Sequence, residues 1–200
     1  MTTPTAPTPV LKAVLRREAL AKRKSVHAVR HAEASAAFAR RLVAEFAVQG
    51  KTIAGYWPLG TELDCQPALV ALTSAGAEVA LPVVAGQGQV LIFRSWVPGD
   101  SLEQGPFGTM HPAVRAPLVI PNILLIPLMA FDGTGHRLGY GAGYYDRTVA
   151  ALRRDGQVIT IGIAYDEQQV DVLPADGHDQ RMDAIITDQR TLWFNPAMKP

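Results

Sequence analysis

The sequence predicts an α/β protein built on an open, mostly parallel sheet with helices on both faces. Two nearly unbroken apolar runs, Ile123–Ile126 and Val158–Ala164, have the composition of strands buried on both faces of a parallel sheet. Segments of this kind alternate along the chain with stretches of helical periodicity, the pattern of layered α/β proteins. A glycine-rich loop follows one of the runs and leads into a helical pattern. That is the strand–loop–helix order in which open α/β sheets bind ligands at strand carboxyl ends.

From Val10 to about Gln49 the pattern is helical. Leu11, Val14 and Leu15 form one apolar patch, and Phe38, Leu42 and Phe46 form a second at spacing four. A break near Ser25 would give two N-terminal helices. Thr52–Trp57 reads as a strand stopped by Pro58, and Asp64 as the N-cap of a helix reaching Ser74. Glu78–Val84 and Val90–Trp96 read as strands joined across a Gly86–Gly88 turn. Residues 97–121 carry prolines at 98, 106, 112, 117 and 121 and read as loop. Beyond the run at Ile123 come the glycine loop, a helix to about Arg154, the run at Val158, an internal strand at Ala184–Thr187 and an edge piece at Leu192–Phe194. Residues 1–9 read as a disordered Pro/Thr-rich lead-in, and 10–200 as one domain.

Two hundred residues, 48% hydrophobic and 18% charged with a formal net charge of +1, suit a single soluble domain with a substantial core. The near-neutral balance argues against a nucleic-acid binder, and no apolar run is long enough for a membrane span. The N-terminus lacks the basic and apolar regions of a signal peptide. Cys65 is the only cysteine, so neither an internal disulfide nor a zinc cluster is expected. A reducing cytoplasm fits these features best; the partners expected are small molecules, and the assembly expected is a monomer or weak homo-oligomer.

The segment most informative about chemistry is Ala130–Arg147, AFDGTGHRLGYGAGYYDR. Gly139, Gly141 and Gly143 alternate with Tyr140 and Ala142, after Arg137 and Leu138 and before Tyr144, Tyr145 and Asp146. Alternating glycines let main-chain N–H groups close around an anion, and a following helix N-terminus reinforces that cradle. Arg137 adds positive charge, and Asp146 is a candidate metal ligand in the first helical turn. The loop is neither a P-loop, which needs Lys and Ser/Thr after the last glycine, nor a dinucleotide fingerprint, since residue 144 is Tyr.

Other candidates lie elsewhere. Lys12 and Arg16 share a helix face and could grip a polyphosphate, although Arg17, Lys22, Arg23 and Lys24 also suggest a solvated basic face. In YWPLGTELD, Tyr56 and Trp57 could stack on a flat ring. Glu62 could accept hydrogen bonds from a ligand or serve as an ordinary turn residue. Phe107 and His111 stand in a shaped loop, GPFGTMHP. Asp179 could join Asp146 around Mg²⁺, while Asp183 reads as a cap or salt-bridge partner. The carboxyl-end rule gathers Trp57–Glu62, Phe131–Tyr145 and Tyr165–Asp179 on one rim. From the residues alone, a kinase or sugar-phosphate enzyme on a related scaffold remains open, as does an RNA-binding module using the basic first helix.

Taken in order, KAVLR, YWPLGTELD, GPFG, LLIPLMAFDGTGHRLGYGAGYYDR and HDQRMDAIITD make the chain resemble the 5-formyltetrahydrofolate cyclo-ligases over nearly all of Val10–Asp188. The resemblance implies a Rossmann-like three-layer α/β/α fold. It also implies ATP- and Mg²⁺-dependent conversion of 5-formyltetrahydrofolate to 5,10-methenyltetrahydrofolate. It assigns ATP to Lys12, Arg16 and Arg137–Tyr145, folate to Trp57, Glu62 and Tyr144, and Mg²⁺ to Asp146 and Asp179. Two positions depart from the family pattern. His111 stands where an acidic residue is usual, and Ala142 stands where relatives often carry Gly or Lys.

Overall fold

The computed structural model describes residues 8–199. Helix α1 (Thr8–Glu45) opens the fold, so Thr8 and Pro9 of the expected lead-in are helical, and residues 1–7 lie outside the described residues. The helix runs unbroken through Ser25, whose hydroxyl donates to Lys22 O at 2.7 Å. The interruption comes instead at Arg30 (φ −142°, ψ 26°), where the guanidinium reaches Glu167 and Asp188. Distant ion pairs, not a local breaker, set the kink.

Strand β1 (Thr52–Ala54) is shorter than its pattern suggests; beyond it the chain turns off through Gly55 toward helix α2 (Gln66–Ser74). The N-cap of α2 is Cys65 rather than Asp64, whose carboxylate accepts the Gln66 N–H at 2.8 Å. Strands β2 (Glu78–Val84) and β3 (Leu91–Ser95) follow as expected. Residues 97–121 are not all loop. They hold a hairpin, β4 (Leu102–Gln104) with β5 (Met110–Pro112), and a two-residue edge strand, β6 (Leu118–Val119). Next come β7 (Ile123–Pro127), the short hairpin β8 (Ala130–Phe131) and β9 (Arg137–Leu138), helix α3 (Tyr144–Asp155) and β10 (Ile159–Ala164). Strands β11 (Ala184–Thr187) and β12 (Thr191–Trp193) complete the sheet.

The main sheet has the order β12-β11-β10-β7-β1-β2-β3-β6. The five strands β11, β10, β7, β1 and β2 pair in parallel, and β12, β3 and β6 are antiparallel additions at the two edges. Alternation along the strands divides the core. Ile53, Leu81, Leu125 and Ile163 face α1 and α2, packing against Phe38, Leu42, Leu69 and Leu72. Ala54, Leu124, Ile126 and Ile185 face α3, packing against Val149 with Tyr145 and Leu152. Each fully buried Leu, Ile or Phe contributes about 1.5–3 kcal/mol of transfer free energy. The result is the three-layer α/β/α, Rossmann-like architecture expected. Among the described residues no helix is long and apolar enough to cross a membrane.

The chain runs from β1 outward to β2, β3 and β6. It then returns to the other side of β1 as β7 and continues to β10, β11 and β12. The direction of winding therefore reverses between β1 and β7, and a crevice at such a reversal is where open α/β sheets hold ligands.

A histidine pair braces α1 against this end of the sheet. His27 and His31 stack at 4.2 Å between centroids, and the Nδ1 atoms lie 3.1 and 3.3 Å from the buried Tyr165 hydroxyl. Burial, with the neighbouring His31 and Arg23 charges, holds His27 below its ordinary value of 6.5. The folded protein keeps His27 neutral where the unfolded chain already takes up a proton, so stability falls as pH drops below about 6.5 toward the folded-state value. Urea unfolding from pH 7.5 to 5 should show this loss, and His27→Gln should flatten it. An equal slope in the variant would place the acid sensitivity elsewhere.

Candidate active site

Both loops that flank the reversal carry sequence-selected residues. After β1, the buried Tyr56 donates its hydroxyl to Leu63 O at 2.6 Å, and the Cys65 thiol donates to Tyr56 O at 2.8 Å. Burial pushes that thiol far up, so Cys65 shapes the loop and offers no thiolate. The loop carries Glu62 inward, only 3% exposed. Glu62 Oε2 accepts the Leu59 N–H at 2.8 Å, and Oε1 accepts the Tyr140 hydroxyl at 2.6 Å. Burial raises the Glu62 carboxyl above its ordinary value, partly offset by these two bonds and the Arg23 charge. Trp57 is half-buried and meets Trp96 edge-on at 6.0 Å.

Beyond β9, the glycine loop is held from three sides. Arg16 Nε donates to Gly139 O at 2.8 Å, Arg147 donates to Ala142 O at 2.9 Å, and Tyr140 reaches Glu62. Gly141 (φ +102°) and Gly143 (φ +69°, the N-cap of α3) adopt backbone conformations that side chains resist, and a Cβ at Gly141 would press on the Arg16 guanidinium. Gly139 needs neither allowance, since a Cβ there would meet open space. Leu138 is buried in the core, leaving only its main chain near the loop, and Tyr145 packs toward the sheet under α3. Tyr144 lies under the Arg147 guanidinium at 5.3 Å and 6.2 Å from the exposed Phe107 ring.

The charged groups meet at the mouth of this loop. Arg137 donates to Asp146 Oδ1 at 2.8 Å and to Gln180 O at 2.6 Å, and the Gln180 N–H donates to the same Asp146 oxygen at 3.1 Å. That tie brings the segment around Asp179 to the start of α3. Lys12 bonds Asp179 at 2.6 Å and Asp176 at 3.0 Å. Partial burial works against its charge, but the two carboxylates hold its ammonium above the ordinary lysine value. Lys12, Arg16, Arg137, Asp146 and Asp179 therefore converge, although the first and last are 167 residues apart. Asp183 is not part of this cluster. It accepts from Thr160, Asn195 and Arg153, a structural node.

Sequence reasoning missed Arg23, which is 3% exposed and joins the two loops by donating to Thr61 Oγ1 and the Tyr140 hydroxyl. Arg17, Lys22 and Lys24 are exposed, as a solvated face requires. Arg23 stands seven residues after Arg16, two helical turns along the same face, and that spacing was the available signal. The ties of Asp176 and Gln180 had no sequence signature.

A mostly parallel sheet with a glycine loop, flanking cations and a buried carboxylate at its switch point has the layout of α/β enzymes that bind ligands at the carboxyl ends of their strands. Residues 9–188 match the model of the 5-formyltetrahydrofolate cyclo-ligase family. The chain belongs to that family. It is 34% identical to the 5-formyltetrahydrofolate cyclo-ligase of Mycolicibacterium smegmatis, over 91% of this chain and 96% of that one. The Escherichia coli cyclo-ligase is 33% identical over 72% of this chain and 81% of its own. The solution structure of Aquifex aeolicus 5,10-methenyltetrahydrofolate synthetase superposes with a TM-score of 0.74 at 29% identity, covering 92% of this chain and 93% of that one.

Proposed function

We propose that the protein uses ATP to convert 5-formyltetrahydrofolate to 5,10-methenyltetrahydrofolate, releasing ADP and phosphate. The observation that carries this reading is the 2.6 Å contact between Glu62 and Tyr140. It sets a buried carboxylate, suited to the N–H edge of a reduced pterin, directly against a phosphate cradle. Glu62, Trp57 and Tyr144 receive the folate. Lys12, Arg16, Arg137 and the loop Leu138–Tyr145 receive the nucleotide, with Leu138 and the glycines contributing main chain only.

The N5-formyl group is amide-like and a poor electrophile. Attack of its oxygen on the γ-phosphorus of ATP expels ADP and leaves an imidate phosphate. N10 then attacks the activated carbon within the same molecule, where proximity replaces a bimolecular encounter. The carbon–oxygen bond breaks, phosphate departs with the former formyl oxygen, and the N10 proton is lost. The protein's part is orientation and charge neutralisation. The buried Cys65 thiol supplies no nucleophile.

Mg²⁺ suits the residues present. Asp146 uses Oδ1 for Arg137 and Gln180, and Asp179 uses Oδ2 for Lys12 and the Asp176 N–H. The other oxygen of each carboxylate takes no hydrogen bond among the described residues. Among those residues no cluster of three or more His, Cys, Asp or Glu stands ready to hold an ion unaided. Two carboxylates completed by phosphate oxygens and water are the usual Mg²⁺ arrangement at nucleotides. Bound there, the ion would neutralise phosphate charge. The same reading implies a cytoplasmic enzyme, acting as a monomer or weak homo-oligomer on small molecules.

Substrate carrying ¹⁸O in the formyl group tests the chemistry, because the label must appear in inorganic phosphate; label lost to water instead would refute phosphoryl transfer to that oxygen. Replacing Lys12 and Arg16 together by Ala should raise the Michaelis constant for ATP more than that for folate. An unchanged ATP constant would return both residues to a structural role.

A further inference from the structure

Arg23 is buried to 3% exposure, yet among the described residues no carboxylate lies in salt-bridge contact with it. Its Nε donates to Thr61 Oγ1 at 3.1 Å and its Nη2 to the Tyr140 hydroxyl at 2.9 Å, while Nη1 has no partner. The guanidinium also lies 5.7 Å from the Tyr140 ring centroid. A buried cation satisfied so sparsely is expensive to hold, and what it chiefly holds is Tyr140. The Tyr140 hydroxyl in turn donates to Glu62 Oε1 at 2.6 Å, and Leu59 occupies Oε2. Glu62 is 3% exposed, and the phenol is one of the two groups that occupy its carboxylate oxygens.

Tyr140 is tied through its hydroxyl and stands outside the buried hydrophobic clusters. The residue is 52% exposed, Gly139 before it has open space around its Cβ position, and Gly141 after it already holds φ +102°. The contact on Glu62 is therefore made by a half-exposed side chain that stands between two glycines.

We propose that Tyr140 is a positioning residue, latched by Arg23, whose hydroxyl occupies the Glu62 oxygen that a pterin N–H takes on binding. Arrival of folate displaces Tyr140, and with it the glycine loop, so the two substrate sites are coupled through this one side chain. Coupling of this kind is reciprocal: nucleotide bound in the loop changes folate affinity by the same factor that folate changes nucleotide affinity. The inference rests on the folate reading of Glu62 given above.

Tyr140→Phe keeps the ring and removes the hydroxyl. Calorimetric titration with 5-formyltetrahydrofolate, with and without a non-hydrolysable ATP analogue and Mg²⁺, reads both halves of the proposal. The variant should bind folate alone about tenfold more tightly, since a hydrogen bond to a charged group no longer has to be displaced. The factor by which the analogue alters wild-type folate affinity should shrink toward one. Arg23→Lys, which keeps the charge but cannot span Thr61 and Tyr140, should move both readings the same way to a smaller extent, and serves if Tyr140→Phe folds poorly. Unchanged or weaker folate binding, or an undiminished factor, would overturn the latch. Wild-type protein that binds the analogue but no folate would instead overturn the proposed function, and the latch with it.

Discussion

Asp146→Asn should lower kcat/KM roughly a hundredfold, the upper end of what is lost when groups that orient a metal ion are disturbed. The substitution keeps the shape of the side chain. Its remaining carbonyl oxygen can still accept from Arg137 and Gln180, the two partners of Oδ1, so the start of α3 and the Asp179 segment stay tied. What is lost is the second oxygen, free of hydrogen bonds among the described residues and set in the first turn of α3 just after the glycine loop, together with one negative charge. The defect should deepen at limiting Mg²⁺, while circular dichroism and the unfolding midpoint stay near wild type. Turnover close to normal at limiting Mg²⁺ would remove Asp146 from the metal site and leave it as the anchor of Arg137.

Glu62→Gln should weaken folate binding by about 1.5–3 kcal/mol, the worth of a hydrogen bond to a charged group, with ATP-analogue binding little altered. The reduced pterin presents several N–H donors along one edge, and a carboxylate can accept two of them; charge-assisted bonds of this type are about twice as strong as neutral ones. Glutamine turns one acceptor into a donor that faces another N–H. Glu62 is 3% exposed, so no bulk water softens that mismatch. Calorimetry with folate and with the nucleotide analogue separates the two effects. Wild-type folate affinity would make Glu62 a turn residue whose only role is to hold Leu59 and Tyr140.

The buried parallel strands were legible because β7 and β10 lie between other strands with helices over both faces, which forces continuous apolar runs. The pattern fails where an element is too short to show one. Strands β4, β5 and β6 have two or three residues each, lie among prolines and exist through pairing with each other and with β3. The kink in α1 was misplaced for a different reason. Ser25 marks a local preference, but Arg30 is drawn by Glu167 and Asp188, 137 and 158 residues away.

The same division runs through the site. Lys12, Arg16 and the glycine loop carry local signatures of charge spacing and backbone freedom, and the fold brings them within reach of one another. Arg23 looked like part of a solvated face because nothing within its own helix reveals burial; its partners Thr61 and Tyr140 lie 38 and 117 residues away. Of the three alternating glycines, Gly141 and Gly143 have the positive φ that the motif suggests, whereas Gly139 lends only its carbonyl to Arg16.

Incubating the purified protein with 5-formyltetrahydrofolate and Mg·ATP, while recording the ultraviolet absorbance of 5,10-methenyltetrahydrofolate, tests the central claim most directly. The account predicts that the methenyl absorbance rises only when both substrates are present, with one ADP and one phosphate formed per product. ATP hydrolysis without methenyl product, or methenyl product formed equally well without ATP, would contradict it.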